Sequence, residues 1–367
     1  MNYLSHILAD IPDRQSAMPR FSPLQPTISV VMPAYQAAYF LPRSLPPLLA
    51  LAASGEVLEV IVVDDASTDG TAEIARDLGA RVLRLEQNSG PAGARNHALS
   101  HVQGQIVWFV DSDVVTGENA TSAIRAAFDT PGLVAVFGCY DAEPADQHWF
   151  SRYKNLMHRY YHLRSSREVH TFWSGFGAVR RDVLLEVGGF DPNCLTVEDI
   201  ELGHRISQAG HRIEIEAALT GKHLKAWRIP GALQSDIFGR AIPWARLLIA
   251  GKGEPRELNV DTAERFRAAV AVGALLLLLA AAFSLVPGWI AGAAFILSLL
   301  LNLRLGMFLL RHGGPMVAAG GVLYHQFYYL YASGAYLFCL AEHYLMRRGK
   351  SRPAPDDRSQ DDPGGRS

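Results

Sequence analysis

The stretch VWFVDSDVV, Val107 to Val115, ends a run of β-branched and aromatic residues with two aspartates separated by one serine. A run this short and this apolar predicts a buried strand. Two carboxylates at the exit of a buried strand cost free energy unless a cation or hydrogen-bond donors meet them. The stretch therefore predicts a buried strand that ends at a site for something positively charged.

The residues before this stretch alternate between apolar runs and segments with helical spacing. The predicted strands are TISVVMPAY (27–35), VLEVIVVDDAS (57–67), ARVLRLEQ (80–87) and QIVWFVDSD (105–113). The predicted helices between them are FLPRSLPPLLALAAS (40–54), TDGTAEIARDLG (68–79) and PAGARNHALSHV (91–102). Strands that alternate with helices across short turns predict an α/β fold with a mostly parallel sheet and right-handed crossovers.

Three of these strands end in loops that could hold a ligand. The loops contain Pro33-Ala34-Tyr35, Asp64-Asp65 and Asp111-Ser112-Asp113. Because ligands of such sheets bind beyond the carboxyl ends of the strands, we expect the three loops to lie over one crevice. The second loop has an alternative use, since Ser67 or Asp69 is a suitable N-cap for the helix that follows.

Composition excludes several classes of protein. The chain has 367 residues, 49% of them hydrophobic, and a formal net charge of -2, which gives no reason to expect a nucleic-acid partner. The three cysteines are far apart and show no metal-ligand spacing, which favours a reducing compartment over a disulfide framework. Residues 1–25 lack a basic segment followed by a long apolar core. We therefore expect a flexible leader, no secretory signal and a cytosolic globular part.

The C-terminal part is strongly apolar and predicts two or three membrane-spanning helices within 263–347. RAAVAVGALLLLLAAAFSLV (267–286) has roughly the twenty residues without an acid or base, after Arg267, that a bilayer core requires. A second candidate is WIAGAAFILSLLLNLRLGMFLL (289–310), weakened by Arg304, and a third, rich in tyrosine, covers 316–345. The alternative is a buried helical core, but no polar face accompanies so much leucine.

The regions on either side of these helices are less regular. Residues 236–262 contain FGRAIPWARLLIAG, whose arginines and tryptophan predict an interfacial helix, with an amphipathic linker packed on the preceding domain as the alternative. Residues 348–367 are polar and predict a disordered tail. Three spans would place RRGKSR (347–352) on the far side of the membrane, against the positive-inside rule, so either the third segment is interfacial or re-entrant, or the count is even.

The ordered set of motifs resembles family 2 of the inverting, nucleotide-sugar-dependent glycosyltransferases, which have the GT-A fold. The motifs are ISVVMPAYQAAYFL, VIVVDDASTDGT, NSGPAGARNHAL, VWFVDSDV, GFGAVRRDVLLEVGGFD and VEDIELGHRI, and together they extend over about two thirds of the chain. Each motif alone is weak, and the order and spacing carry the resemblance. It implies a GT-A catalytic domain over residues 26–235.

The resemblance implies a divalent-metal site at the motif VWFVDSDV. Asp113 would ligate Mg²⁺ or Mn²⁺ bound to the diphosphate of the donor, and Asp111 would hold the ribose or a metal-bound water. Hard divalent cations prefer such oxygen ligands. His223 fits a third protein ligand, which would favour Mn²⁺, although a lone histidine is as often structural.

The resemblance also implies a nucleotide site. Asp65, next to Asp64, would accept from the base N–H, and Arg95 would lie near base and phosphate, unless it is an ordinary solvated arginine. Pro33, Ala34 and Tyr35 would line the base pocket, although Tyr35 could equally be a half-buried aromatic.

The catalytic base would be Asp199 of the Glu198-Asp199 pair. Inversion requires a carboxylate that takes the proton of the acceptor hydroxyl, and adjacent carboxylates resist joint ionisation, which raises one pKa. The alternative is a pair of acids favoured by a helix N-terminus. Trp173, Gly175 and Gly177 are expected near the donor sugar. Arg205 would orient the acidic pair or lie on the surface.

Together these features predict a multi-pass membrane enzyme with its catalytic domain on the cytoplasmic face. It would move one sugar from a nucleotide donor, with a UDP-sugar expected, to a lipid or polyprenyl-phosphate-linked acceptor in the bilayer. Processive members of the family carry a Gln-any-any-Arg-Trp motif, and this chain has HLKAW and RAIPWARLL instead, which favours single transfer. The alternatives are a processive polysaccharide synthase and an inactive membrane scaffold.

Overall fold

The computed structural model describes residues 26–194, 196–254 and 257–350. The predicted leader (1–25) lies outside the described residues, as do residues 351–367 of the predicted tail. The first three residues of that tail, 348–350, still belong to the last helix.

The first half of the chain forms the predicted α/β alternation. Its strands are β1 (Ile28–Ala34), β2 (Glu59–Asp64), β3 (Arg81–Arg84) and β4 (Ile106–Val110). The helices between them are α1 (Leu41–Ala53), α2 (Thr71–Asp77) and α3 (Gly90–Leu99). The four strands pair in parallel in the order β3-β2-β1-β4, which brings the carboxyl ends of β1, β2 and β4 to one edge of the sheet. The predicted α/β class is confirmed.

The second half of the sheet corrects the prediction of a mostly parallel arrangement. Its strands are β5 (Val114–Thr116), β6 (Leu133–Tyr140), β7 (Glu168–Val169), β8 (Phe176–Arg180) and β9 (Arg212–His223). Strand β8 runs antiparallel to both β4 and β6, β5 and β7 run antiparallel to β9, and β6 and β9 are parallel. The sheet is therefore mixed. Because Phe176 pairs with Val110, β8 starts where β4 ends and must run back along it.

Helices cover both faces of the sheet. In this half they are α4 (Ala120–Phe128), α5 (Trp149–Arg164), α6 (Arg181–Glu186) and α7 (Glu198–Gln208). Trp108 belongs to the apolar cluster beneath α1 and α4, and Phe109 belongs to the cluster beneath α3 and α7. Successive side chains of a strand point to opposite faces, so a strand buried on both faces reads as a continuous apolar run. This explains why the residues before Asp111 are uniformly apolar.

The C-terminal part is helical. It contains α8 (Ile229–Asp236), a π-helical turn (Ile237–Ala241), α9 (Ile242–Ile249), α10 (Thr262–Ala282), α11 (Gly288–Leu300), α12 (Leu303–Gly313) and α13 (Pro315–Lys350). Among the described helices, α10 alone is long and apolar enough to cross a bilayer, and α11 with α12 passes the same test only as a pair bent by 56°. The second predicted segment is thus two helices, and the third, α13, does not have the hydropathy of a span.

The bend between α11 and α12 has a local cause. Asn302 lies between the two helices, its Nδ2 donates to the carbonyl oxygen of Ser298 at 3.0 Å, and its Oδ1 accepts from the Tyr329 hydroxyl at 2.9 Å. A side-chain amide that bonds to the backbone of the preceding turn competes with the regular helix ladder.

A buried polar network joins α5 to the C-terminal helices. The Tyr161 hydroxyl lies 3.1 Å from Oε2 of Glu264 on α10 and 3.0 Å from Nε2 of His325 on α13. Glu264 also accepts from the Tyr329 hydroxyl at 2.6 Å. Buried networks of this kind fix one arrangement of the helices when their members are satisfied. The position of α5 is therefore set by contacts to residues that follow it by 103 and 164 positions in the sequence.

Helix α7 approaches the segment before β8 so closely that residue 203 must be glycine. A Cβ at Gly203 would lie 2.3 Å from the backbone nitrogen of Phe172. We expect Gly203→Ala to lower the free energy of unfolding by at least about 1–3 kcal/mol, because overpacking against backbone forces a shift of the helix. Thermal unfolding of the purified full chain measures the effect.

Gln208→Ala is the matched control on α7, since residue 208 is exposed and its truncation should change stability by less than about 0.5 kcal/mol. Equal melting temperatures for Gly203→Ala and the unmodified chain would contradict the packing described here.

Candidate active site

A cavity of about 690 Å³ lies at the edge of the sheet where β1, β2 and β4 end. We call it the main cavity. Most of the site residues predicted from the sequence line it, although they come from loops and helices far apart in the chain. Those residues are Pro33, Ala34, Tyr35, Asp65, Arg95, Asp111, Asp113, Trp173, Gly175, Glu198, Asp199 and His223. Asp64, Gly177 and Arg205 lie outside this lining.

Arg95 links the two acidic groups of the cavity. Its Nη1 donates to Oε1 of Glu198 at 2.6 Å, and its Nη2 donates to Oδ1 of Asp111 at 2.8 Å. The side chain is buried, so the alternative of a solvated helix arginine does not hold. Both hydrogen bonds of this guanidinium are charge-assisted, because each acceptor is a carboxylate. They fix the end of β4 and the start of α7 relative to α3.

Asp199 has an environment that suits proton transfer. Its Oδ2 accepts from the Ser174 backbone N–H at 3.3 Å, and its Oδ1 accepts from the Ile200 N–H at 2.9 Å. Burial, together with the charge of Glu198, raises the pKa of Asp199 to about 7, against the opposing charge of Arg95. A carboxylate with a pKa near neutrality is poised to accept a proton at physiological pH.

Asp113 and His223 come together through strand pairing. Val114 on β5 pairs with His223 on β9, and His223 Nε2 lies 3.5 Å from Asp113 Oδ2. Burial alone would raise the pKa of Asp113, but the hydrogen bond and charge of His223, together with Lys225, hold that pKa below its ordinary value. The His223 ring also stacks on Tyr140, with the ring centroids 4.3 Å apart.

This pair fits part of a divalent-metal site. A carboxylate oxygen and an imidazole nitrogen that face each other suit Mn²⁺ more than Mg²⁺. No group of three His, Cys, Asp or Glu side chains within the described ranges is arranged to hold a metal ion by itself. A cation bound to Asp113 and His223 would therefore need further oxygen ligands from a phosphate-bearing ligand or from water.

The two adjacent aspartates after β2 face different surroundings. Asp65 lines the main cavity, and its Oδ1 accepts from the Ser89 backbone N–H at 2.7 Å, just before α3. Burial raises its pKa. Asp64 is fully buried outside the cavity, and its Oδ2 lies 3.3 Å from Nε of Arg84. Of the two adjacent aspartates, Asp65 alone therefore lines the main cavity.

The loop between these aspartates and α2 makes hydrogen bonds to the segment after β1 as well as to the start of α2. Helix α2 begins after Gly70 without a side-chain cap, and the Ser67 hydroxyl accepts from the backbone N–H of Gln36 at 3.0 Å. Ser67 therefore does not act as the predicted N-cap. Asp69 does contact the start of the helix, since its Oδ1 accepts from the Thr71 N–H at 3.1 Å.

Gly175 and Gly177 are both required by close approach, but at different places. A Cβ at Gly175 would lie 2.6 Å from Trp173 Nε1 and 2.9 Å from Asp111 Oδ2, within the cavity. A Cβ at Gly177 would instead meet the Trp173 carbonyl oxygen and the Phe172 ring behind the cavity wall. Gly177 therefore serves packing of the segment that carries Trp173.

Arg205 binds the turn after α6 and does not contact the acidic pair. It is bound to Glu201 through its Nε, at 2.8 and 2.9 Å, and donates to the carbonyl oxygens of Val187 and Gly189 at 2.6 and 2.7 Å. The arginine fixes the turn after α6 against α7.

Helix α5 supplies cavity residues that we did not predict from the sequence. Lys154, His158 and His162 all line the main cavity. Their spacing of four residues places them on one helical face, and this polar stripe was the available signal. The His158 ring packs between Tyr140 and Trp173, with centroids 4.4 and 4.5 Å away. Burial lowers the pKa of His162 to about 4 and that of His158 well below its ordinary value, so both rings are neutral at pH 7.

The sequence profile described as Glycosyl transferase family 2 matches residues 29–188, from β1 to the turn after α6. Residues 29–188 form a family 2 glycosyltransferase domain. The match includes the strand ends that carry Asp65 and Asp113. The helix with Glu198 and Asp199 lies beyond the matched part of the family 2 domain.

Curated relatives share the same part of the chain. This chain is 42% identical to the putative teichuronic acid biosynthesis glycosyltransferase TuaG of Bacillus subtilis (strain 168). The match extends over 94 residues, which are 24% of this chain and 36% of the relative. This chain is also 27% identical to the validoxylamine A glucosyltransferase of Streptomyces hygroscopicus subsp. jinggangensis (strain 5008). That match extends over 229 residues, which are 53% of this chain and 54% of the relative. The chain thus spans about a third to a half of the length of these two relatives.

A solved structure shares the fold over a longer stretch. The mannosyltransferase PcManGT from Pyrobaculum calidifontis, in complex with GDP-Man and Mn²⁺, superimposes with a TM-score of 0.50. The superposition covers 76% of this chain and 87% of that chain at 21% sequence identity. At this identity the similarity concerns the fold of the family 2 domain and its helical extension, not the substrate.

Proposed function

We propose that the chain is a membrane-anchored, inverting glycosyltransferase that moves one sugar from a nucleotide donor to a lipid-borne acceptor. The observation that supports this most strongly is the main cavity, where Asp65, the Asp113–His223 pair and Asp199 face one space. The family 2 domain and the fold shared with a mannosyltransferase are consistent with sugar transfer. The names of two relatives, in teichuronic acid and succinoglycan biosynthesis, are consistent with a product of the cell envelope.

In the proposed reaction, residues of the first half bind the donor. Asp65 accepts a hydrogen bond from the base of the nucleotide, beside Pro33 and Tyr35. Arg95 keeps Asp111 in place beside the ribose while it holds Glu198. A UDP-sugar is the donor that we propose, in a cavity of GT-A type.

Asp113 and His223 would hold a divalent cation against the donor diphosphate, as their distance of 3.5 Å permits. When bound there, the cation would neutralise charge on the departing diphosphate. Lys225 also lines this part of the cavity and would contribute a further positive charge.

Asp199 acts as the base. The acceptor hydroxyl gives its proton to the Asp199 carboxylate while its oxygen bonds to the anomeric carbon, and the bond from that carbon to the diphosphate oxygen breaks. The nucleoside diphosphate leaves on the opposite face, which inverts the anomeric centre. The backbone N–H groups of Ser174 and Ile200 hold the carboxylate in place, and this orientation avoids an entropic cost in each turnover.

The exposed apolar surface of the C-terminal helices supports the membrane anchor. Of the most apolar window of α10, 11% is buried, and Leu276, Phe283 and Trp289 are 60%, 76% and 75% exposed. Exposed apolar patches of this extent mark membrane or protein contact. We propose that α10, with the bent pair α11 and α12, enters the bilayer and leaves the family 2 domain at its cytoplasmic face.

The proposal is tested by incubating membranes that contain the chain with a panel of labelled nucleotide sugars and Mn²⁺, then extracting the lipids. We expect one donor to deliver a single labelled sugar to the lipid fraction. Long water-soluble polymer would indicate a processive synthase instead, and transfer from none of the donors would contradict the proposal.

The proposed base predicts a pH dependence with a defined sign. The reactive form of Asp199 is the ionised carboxylate, and burial raises the pKa of that group to about 7. The single-turnover rate should therefore rise about tenfold per unit below pH 7 and level off above it. Measuring the rate with saturating donor from pH 5.5 to 8.5 checks this.

Nucleotide affinity measured over the same pH range is the control, because the pKa of Asp113 lies below its ordinary value and the group stays ionised throughout. A flat rate profile with intact binding would exclude Asp199 as the base.

A further inference from the structure

A second, smaller cavity of about 140 Å³ lies between α9 and α13, on the side of the C-terminal helices. We call it the side cavity. Its walls are mostly apolar. They include Ala241, Ala245, Leu248, Val260, Ala332 and Tyr336.

The side cavity adjoins the main cavity. Arg240, Trp244 and Asn259 line both, as do Lys154 and Met157 of α5. A single elongated ligand could therefore extend from between α9 and α13 to the space that contains Asp199. The apolar end lies against α9 and α13, and the polar end lies beside the cavity that contains the carboxylates.

The junction of the two cavities carries a surplus positive charge. Asp236 accepts from Lys154 Nζ at 2.7 and 2.8 Å and from the Tyr331 hydroxyl at 2.9 Å, so its charge is already matched. Arg240 lies 3.7 Å from the same carboxylate, too far for a hydrogen bond. Its side chain is 52% exposed. The guanidinium of Arg240 is thus available to an anion.

Local geometry at the junction also indicates a ligand. Arg240 lies in the π-helical turn Ile237–Ala241, and such turns occur frequently at functional sites. The buried indole N–H of Trp244, three residues into α9, has no acceptor within the described part of the chain. An oxygen-rich anionic group beside Arg240 would supply one.

We propose that the acceptor is a lipid in which a phosphate or diphosphate joins an apolar chain to a hydroxyl-bearing headgroup. Its chain lies in the side cavity, its phosphate binds Arg240 at the junction, and its headgroup hydroxyl reaches Asp199 in the main cavity. This inference rests on the proposed transferase function and specifies the acceptor of that same site. A guanidinium binds a phosphate through paired N–H groups, so the headgroup is positioned as well as held.

The test measures binding of farnesyl phosphate, farnesol and inorganic phosphate to the purified full chain in detergent, with tryptophan fluorescence as readout. We expect farnesyl phosphate to bind more tightly than either fragment. Arg240→Gln should weaken that binding by about tenfold or more, because a charge-assisted hydrogen bond to phosphate is lost, and Arg240→Lys should retain part of it. Ala332→Trp, which fills the side cavity, should abolish it.

Arg246→Gln is the matched control. Arg246 lies on α9 with 54% of its side chain exposed, pairs with Glu342, and lines neither cavity. This variant should bind farnesyl phosphate as the unmodified chain does. Equal affinity for farnesol and farnesyl phosphate, or unchanged affinity in Arg240→Gln, would overturn the proposal.

UDP binding with Mn²⁺, measured on the same samples, separates the two levels of inference. If the unmodified chain binds UDP but not farnesyl phosphate, only the lipid acceptor is refuted. If the unmodified chain binds neither UDP nor farnesyl phosphate, the proposed transferase function is refuted. Ala332→Trp should leave UDP affinity unchanged, since residue 332 lines the side cavity and not the main cavity.

Discussion

Asp199→Asn is expected to lower the rate of sugar transfer by about 10²–10⁴-fold, the contribution of a positioned general base. Asparagine has the size of aspartate, and its amide oxygen can still accept from the Ile200 N–H at the position of Oδ1, but it cannot take the acceptor proton. The two ion pairs of Arg95 do not involve residue 199, so the donor side of the cavity stays intact. Single-turnover transfer and UDP affinity, measured side by side, check the separation.

Stability is the first control for this variant. Burial raises the pKa of Asp199 to about 7, so the folded chain binds its proton more tightly than the unfolded chain does. The destabilising contribution of the ionised group is therefore absent at low pH and grows as pH rises toward 7. Asp199→Asn should melt at or above the temperature of the unmodified chain at pH 8. A lower melting temperature would mean that the loss of activity reports misfolding.

Glu201→Gln is the second control. Glu201 lies on the same helix and is also buried, but its carboxylate binds Arg205 outside the main cavity. Folded Glu201→Gln should transfer sugar at nearly the normal rate. If it lost as much activity as Asp199→Asn, the effect would belong to α7 as a whole and not to one carboxylate.

The first half of the fold follows from local sequence because each element carries its own signal. Runs such as VLEVIVVDDAS are apolar enough to specify a strand buried on both faces, and glycine or proline marks each turn. The antiparallel direction of β8 has no such local signal. It results from the pairing of Phe176 with Val110, two residues that are distant in the sequence.

The sequence predicts the neighbours of a site residue where both residues belong to one short motif. Asp111 and Asp113 follow a single buried strand, so the sequence places them together. Lys154 and His158 were missed because α5 reads as polar and aromatic without a clear apolar face. Its surroundings, the cavity on one side and α13 on the other, come from remote parts of the chain.

Helical periodicity could have improved the prediction for Arg205. At about 100° per residue, position 205 points roughly 240° away from position 199, to the far side of α7. The structure accordingly pairs Arg205 with Glu201, one turn before it, and with the carbonyl oxygens of Val187 and Gly189. Glu198 of the acidic pair is held instead by Arg95, from a helix about a hundred residues earlier.

Asp113→Asn is expected to lower sugar transfer by about 10²–10³-fold, because stabilising charge on a leaving diphosphate is worth several kcal/mol. Asparagine keeps the shape of the side chain and removes the negative charge that faces His223 across 3.5 Å. A divalent cation would then meet one neutral imidazole and one amide, which bind Mn²⁺ poorly. UDP affinity should consequently become the same with Mn²⁺ and with a chelator.

Asp141→Asn is the control for this variant, since Asp141 lies just beyond β6 near Lys222 and outside the main cavity. It should keep both transfer and the Mn²⁺ dependence of UDP binding. If Asp113→Asn kept that dependence too, the cation would have to be held by other groups, and His223 would then be a structural residue stacked on Tyr140. His223→Ala distinguishes these cases, because only a ligand histidine makes UDP affinity less sensitive to Mn²⁺ when it is removed.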